Sequence, residues 1–195
     1  MTIYFTSDNH YFHENIIRYC SRPFVDSAQM NEHMLENWNS RVEENDVGVF
    51  VGDISAGLKG RIEELRELIR RMNGKKILIR GNHDHQQDQW YIDSGFIAVY
   101  DYLNLGGVAL SHYPLKSLSD KKFDESALGD FLHIVHGHVH EKGPNYDRHF
   151  NVAADRNNYK PHHWHDVIPE WLRTPFKENL NILLMNTLCK NYTLD

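Results

Sequence analysis

Five short runs of hard, metal-favouring side chains each follow a hydrophobic stretch, and they restrict the fold of this chain more than any other feature. They are Asp8-Asn9-His10, Gly52-Asp53, Gly81-Asn82-His83-Asp84, Ser111-His112 and Gly137-His138-Val139-His140. The stretches before them are short and rich in β-branched and aromatic residues, the pattern of buried strands. Each cluster therefore sits where a strand is predicted to end. Strand ends along one edge of a sheet converge in space, so side chains far apart in the chain gather at one point.

Carboxylate, imidazole and amide without thiolate form an N/O ligand set suited to Mn, Fe, Co, Ni or Zn. Pooled, the clusters hold enough ligands for two ions. In extended backbone, residues two apart project to the same side, so Asp8 and His10 can chelate one ion, and His138 with His140 repeats the spacing. Asp53 has two carboxylate oxygens and can bridge two ions. Asn82 offers a neutral amide oxygen, and His112 a further imidazole. Gly52, Gly81 and Gly137 stand before the ligands, where a residue without Cβ permits tight turns and close backbone approach.

The rest of the chain supports this placement. Thr2–Thr6 reads as the first strand. A helix is predicted from Ser27, read as its N-cap, to Glu44, with Met30, Met34, Leu35, Trp38 and Val42 as its apolar stripe. Val47–Val51 is the next strand. A second helix, Arg61–Met72, stops at Asn73-Gly74, and Lys76–Arg80 is the third strand. This β-α-β-α-β order predicts parallel pairing with right-handed crossovers. After a short helix at Gln86–Asp93 the pattern becomes β-rich: Phe96–Tyr100, Tyr102–Leu105, Val108–Ser111, Phe131–Val135 and His149–Val152, with Gly106-Gly107 as a hairpin turn. Pro161–Leu172 reads as loop and short helix, and Lys177–Asp195 as a polar-ended tail that packs as a helix. The 195 residues are expected to form one domain, with a core over residues 2–170 and a C-terminal tail over 176–195.

Composition narrows the class of partner. A net charge of −6 disfavours a long nucleic-acid backbone, which requires a basic face. Two cysteines, Cys20 and Cys189, make neither a zinc pattern nor a disulfide framework, which fits a reducing compartment. With no signal-like start and no apolar run of about 20 residues, the expectation is a cytoplasmic protein without membrane association, a monomer or small homo-oligomer.

The ordered set Asp-x-His, Gly-Asp, Gly-Asn-His-Asp, His, Gly-His-x-His resembles the calcineurin-like (binuclear) metallophosphoesterases over about residues 2–170. A small bacterial and phage subgroup is the nearest likeness, through Ser7-Asp8-x-His10, His13-Glu14-Asn15-Ile16-Ile17, Arg22-Pro23-Phe24 and Asn157-Asn158-Tyr159-Lys160-Pro161. The resemblance implies an α/β fold, a four-layer αββα sandwich of two mixed β-sheets flanked by helices. It implies two divalent metal ions, manganese first, with Fe, Zn, Ni or Co as alternatives. Asp8, His10 and His140 would hold one ion, Asn82, His112 and His138 the other, and Asp53 would bridge. His83 would be proton donor or charge stabiliser, oriented and kept protonated by Asp84. Two such ions about 3.5–4 Å apart share a hydroxide and aim it in line at phosphorus.

The remaining polar residues carry weaker expectations. His13 is a candidate for lining the pocket. Arg18, Arg22, Arg80 and Lys116 are candidates to hold a phosphate, which a guanidinium grips with two bonds; Arg22 is preferred because its segment resembles the subgroup and follows the first metal loop. His33 and His85 read as surface residues, His133 and His136 as structural, and His162-His163-Trp164-His165 as a loop with solvated imidazoles. The leading expectation is hydrolysis of a small phosphodiester. A phosphomonoesterase, or a nuclease processing nucleic-acid ends with the same ions, is the alternative, and a non-catalytic scaffold ranks last. Substrate selectivity is assigned to the loops 11–24, 86–93 and 114–129.

Overall fold

The computed structural model describes residues 1–114, 131–142 and 148–191. The chain runs β1 (Ile3–Thr6), α1 (Glu14–Tyr19), α2 (Ser27–Asn39), β2 (Val47–Val51), α3 (Ile62–Arg70), β3 (Lys75–Ile79), α4 (Asp88–Ser94), β4 (Phe96–Tyr100), β5 (Tyr102–Leu105), β6 (Val108–Ser111), β7 (His133–His136), β8 (His149–Asn151), β9 (His162–His163), α5 (Trp164–Val167) and α6 (Glu170–Asn191). Five strands form one sheet in the order β4-β3-β2-β1-β9, and four form a second in the order β5-β6-β7-β8. In the first sheet β1 to β4 pair in parallel and β9 joins antiparallel. In the second, β5 pairs antiparallel to β6, while β6, β7 and β8 are parallel. Both sheets are thus mixed, and helices flank them.

Alternation along β2 shows why the first sheet is buried on both faces. Val47, Val49 and Val51 point into a core shared with Val108, Leu110 and Val135 of the second sheet and with Leu172, Phe176 and Leu180 of α6. Phe50 points the other way, into a cluster with Met30, Met34 and Trp38 of α2 and Leu65 and Ile69 of α3. The indole of Trp38 lies so close over β2 that a Cβ at Gly48 would meet it at 2.4 Å. Parallel strands covered on both faces lose the polar alternation of a half-exposed strand, hence the continuous hydrophobic run ahead of each cluster.

Several boundaries differ from the sequence reading. The N-cap of α2 is Asp26, whose carboxylate accepts from Gln29 N at 2.8 Å; Ser27 lies inside the helix, its hydroxyl bonded to Glu14. This helix ends at Asn39 rather than Glu44, although Val42 beyond it is still buried. Phe96–Tyr100 belongs to the first sheet, beside β3, and not to the β-rich second part. The six-residue α1 escaped prediction because it is too short to display a period. His162 is not solvated: β9 pairs with β1, and the residue is 8% exposed. The C-terminal helix begins at Glu170 and runs through Pro175, a residue that normally marks a helix boundary and so delayed the predicted start. No helix among the described residues is long and apolar enough to cross a membrane.

Candidate metal centre

The strand ends of the two sheets meet at one edge. Asp8 and His10 follow β1, Asp53 follows β2, and Asn82 to Asp84 follow β3; His112 follows β6, and His138 and His140 follow β7. The structure brings all seven expected ligands together. Asp53 Oδ2 lies 3.6 Å from His10 Nε2 and 3.4 Å from His112 Nε2. His140 Nε2 is 3.6 Å from Asp8 Oδ1. On the other side, Asn82 Oδ1 is 3.2 Å from His112 Nε2 and 3.0 Å from His138 Nδ1. Asp53 therefore stands between two groups, Asp8–His10–His140 and Asn82–His112–His138.

The backbone achieves this differently from the extended i, i+2 geometry expected. Asp8, His10, Asp53, His138 and His140 all adopt positive φ, between 50° and 71°. The loops curl the side chains inward rather than alternating them along a strand. Glycines permit the crowding: a Cβ at Gly81 would fall 2.2 Å from Asp53 Oδ1, and one at Gly137 would fall 2.3 Å from both Asp8 Oδ2 and Ser7 Oγ.

The donor set fits divalent cations. Oxygen and imidazole ligands about 2.0–2.2 Å from one ion lie some 3–4 Å from each other, the range measured here. His112 is buried and directs Nδ1 to Val51 O at 2.9 Å, leaving Nε2 facing Asp53. His140 directs Nδ1 to Asp155 Oδ2 at 3.1 Å, leaving Nε2 facing Asp8. Fixing one imidazole nitrogen so that the other is a ligand is the usual second layer of a metal site. Both ring nitrogens of the buried His10 lack a hydrogen-bond partner, a cost that coordination at Nε2 would relieve. Among the groups close enough to hold an ion are Asp8–His10–His140 and Asp8–Asp53–His112.

Electrostatics differ from one side chain to the next, within each group as well as between them. Burial alone would raise the Asp53 carboxyl, but hydrogen bonding and charge from His112, then His10 and the His83 N–H, hold it below the ordinary carboxylate range. Burial opposes charge on His112 too, yet Asp53 and Asp8 outweigh it and raise the imidazole to about 9. His10 goes the other way, because burial dominates and favours its neutral, ligating form.

Two side chains, Asp84 and Arg22, do something other than the sequence suggested. Asp84 does not orient His83. Its carboxylate accepts from Asp53 N at 2.7 Å, Gly81 N at 2.8 Å and Ile54 N at 3.1 Å, tying the second and third ligand loops together. Buried there beside Asp53, it is raised to about 6. The His83 imidazole is 43% exposed at the cavity mouth, with Nε2 4.0 Å from Asp53 Oδ2. Arg22 does not face a phosphate. Its side chain is wholly buried, bonds Asp155 through Nε and Nη2 at 2.8 Å each, and donates to the carbonyls of Asp8 at 2.7 Å and Asn9 at 2.9 Å. It braces the first ligand loop from behind.

Asp155 is the residue that the sequence reading missed. It joins Arg22 to His140 and thereby connects the first and last ligand clusters. It stands two positions before the Asn157–Pro161 segment, but nothing in a lone Ala-Asp-Arg announces a partner 133 residues away. Of the other candidates, His13 lines the cavity beside His10 and His83. Arg18 engages Asn15, and Arg80 holds the Asp84 and Gln86 carbonyls. Lys116 lies outside the described residues. His33 and His85 are exposed, while His133 and His136 are buried and bond backbone carbonyls.

Residues 1–187 match the calcineurin-like phosphoesterase family. The chain belongs to that family. The phosphoesterase is 34% identical to an uncharacterized protein of Methanocaldococcus jannaschii over 82% of this chain and 85% of that one. It is 30% identical to the Gene 66 protein of Mycobacterium phage D29 over 86% of this chain and 91% of the phage protein. A protein of unknown function from Aquifex aeolicus shares the fold of this phosphoesterase, with a TM-score of 0.63, 24% identity, and coverage of 85% of this chain and 97% of that one.

Proposed function

We propose that this phosphoesterase hydrolyses a small phosphodiester with two divalent ions held by the seven converging residues, manganese being the first choice. The observation that carries the reading is the position of Asp53, whose Oδ2 lies 3.4–3.6 Å from imidazoles of both ligand groups. Ions bound there would supply charge neutralisation for the phosphoryl oxygens and would lower the pKa of water towards neutrality. The protein's own part is to hold that geometry. Asp84 locks the loops of Asp53 and Asn82, and the Arg22–Asp155 pair locks those of Asp8 and His140. His83, exposed beside the cage, is read as the proton donor to the leaving oxygen, a role that matters most where that oxygen leaves as an alkoxide. The surplus of negative charge favours a small substrate over long nucleic acid.

Loaded with Mn²⁺, the protein is expected to hydrolyse bis-p-nitrophenyl phosphate faster than p-nitrophenyl phosphate. A preference for the monoester refutes the diester reading. Asp53→Asn is expected to abolish turnover and weaken metal binding. His83→Ala is expected to lose about 10²- to 10⁴-fold in rate while metal analysis still finds two ions. Full activity of metal-loaded His83→Ala on an alkyl leaving group removes the proton-donor role.

A further inference from the structure

The cavity beside the cage has a volume of about 440 Å³. That falls within the range of sites that enclose a whole small molecule, about 300–1,000 Å³, and exceeds what a phosphoryl group needs. Its wall also changes character away from the imidazoles. Ile16 and Tyr19 of α1, with Cys20 at its C-cap, form one side, and Val139, from the loop after β7, contributes to the wall. Residues spaced three and four apart share a helix face, so α1 presents one continuous apolar strip to the cavity. Ile16 is buried, but Tyr19 is 67% exposed, an aromatic ring standing open at the mouth. Its contact with His13 is edge-on, at 6.3 Å and 78°.

Cations are scarce in this wall. Among the described residues lining it, the non-histidine cation is Lys142, and Glu141 beside it has the opposite charge. Arg22 is buried against Asp155, and Arg18 and Arg80 are engaged elsewhere. A phosphomonoester dianion leaves charge beyond the reacting centre that proteins usually meet with arginine forks. A phosphodiester carries one charge, which the centre itself can meet, and a second organic arm that needs a place to lie. We propose that the α1 wall is a subsite for a planar aromatic arm of the diester, a nucleobase or aryl ring, stacked on Tyr19 and seated against Ile16 and Val139. This rests on the phosphodiesterase reading and names the substrate class within it.

The test compares three p-nitrophenyl diesters with one leaving group and different second arms: thymidine, phenyl and methyl. Stacking of a base on an aromatic side chain contributes enough for a preference of about 5- to 150-fold. The Mn²⁺-loaded protein is expected to show that preference in kcat/KM for the thymidine or phenyl ester over methyl, mostly through KM. The thymidine and phenyl arms separate a nucleotide from a simple aryl ester as the source of the ring. Tyr19→Ala should collapse the ratio towards one, and Tyr19→Phe should restore it, since only the ring face is required. A ratio near one in the wild type, or a ratio unmoved by Tyr19→Ala, overturns the subsite. Calorimetric binding of thymidine 5′-phosphate against methyl phosphate reads the same subsite without turnover. Absence of hydrolysis of every ester therefore sinks the phosphodiesterase reading, while the affinity ratio still decides this one.

Discussion

Gly81→Ala replaces one hydrogen by a methyl group, and the structure allows its effect to be worked out. The new Cβ would sit 2.2 Å from Asp53 Oδ1 and 2.4 Å from Asp53 N, against ordinary contact beginning at 3.4 Å. One loop must therefore retreat by about 1 Å. Asp53 cannot rotate away freely, because Oδ1 accepts from His83 N at 2.8 Å and its own N–H donates to Asp84 at 2.7 Å. Nor can the third strand end simply slide, because Gly81 N donates to the same Asp84 oxygen at 2.8 Å. The displacement falls on the carboxylate that stands between the two ligand groups. A misplacement of about 1 Å at a reacting centre costs roughly 10²-fold in rate, and overpacking costs about 1–3 kcal/mol of stability. Gly81→Ala is expected to lose about 100-fold in kcat/KM on bis-p-nitrophenyl phosphate with saturating Mn²⁺, with weakened binding of the second ion by calorimetry. Gly60→Ala is the control: its φ is +91°, with nothing within 4 Å of the new Cβ. It should cost about 1–2 kcal/mol of stability through backbone strain with activity intact. Turnover of Gly81→Ala within twofold of wild type refutes the reasoning from close packing of Gly81 on Asp53.

Two further predictions concern groups behind the site and away from it. Asp155→Asn removes the charged partner of both His140 and Arg22; metal affinity should fall about 10- to 100-fold. Because the Arg22 side chain is 0% exposed, leaving it unpaired should cost about 3–5 kcal/mol; titration calorimetry and urea melts that show neither change refute the brace. Lys76 is 6% exposed, and among the described residues its ammonium donates to the Met72 and Gly74 carbonyls. Burial lowers its pKa from 10.5 to about 8. The folded state therefore binds fewer protons than the unfolded state between those values, so stability rises with pH across that window. At about 1.36 kcal/mol per pKa unit the rise is about 3 kcal/mol. Lys76→Met should remove it, and equal pH slopes for the two proteins between pH 7.5 and 10.5 contradict the assignment.

The candidate ligands were legible because each cluster is punctuated by a strand before it. Val47–Val51 ahead of Gly52-Asp53 carries both signals within seven residues, and parallel strands deliver such ends to one edge. What hid from the sequence is what depends on pairing across the fold. Asp84 looks like a partner for its neighbour His83, yet its carboxylate turns back to three backbone N–H groups. Arg22 looks like a phosphate ligand, but Asp155, remote in sequence, claims it. The left-handed turns at Asp8 and His138 were equally hidden, since aspartate and histidine do not advertise positive φ as glycine does.

Each sheet contributes about half of the cage: Asp8, His10, Asp53 and Asn82 come from the first, and His112, His138 and His140 from the second. Ion capture would therefore add to the docking of the sheets that their shared core already provides. Any cation bound here acts as a rivet between two layers, and its concentration tunes how firmly they close. Chelation should thus be felt in the hydrogen-exchange protection of β6 and β7, well before it is felt in their neighbours' helices.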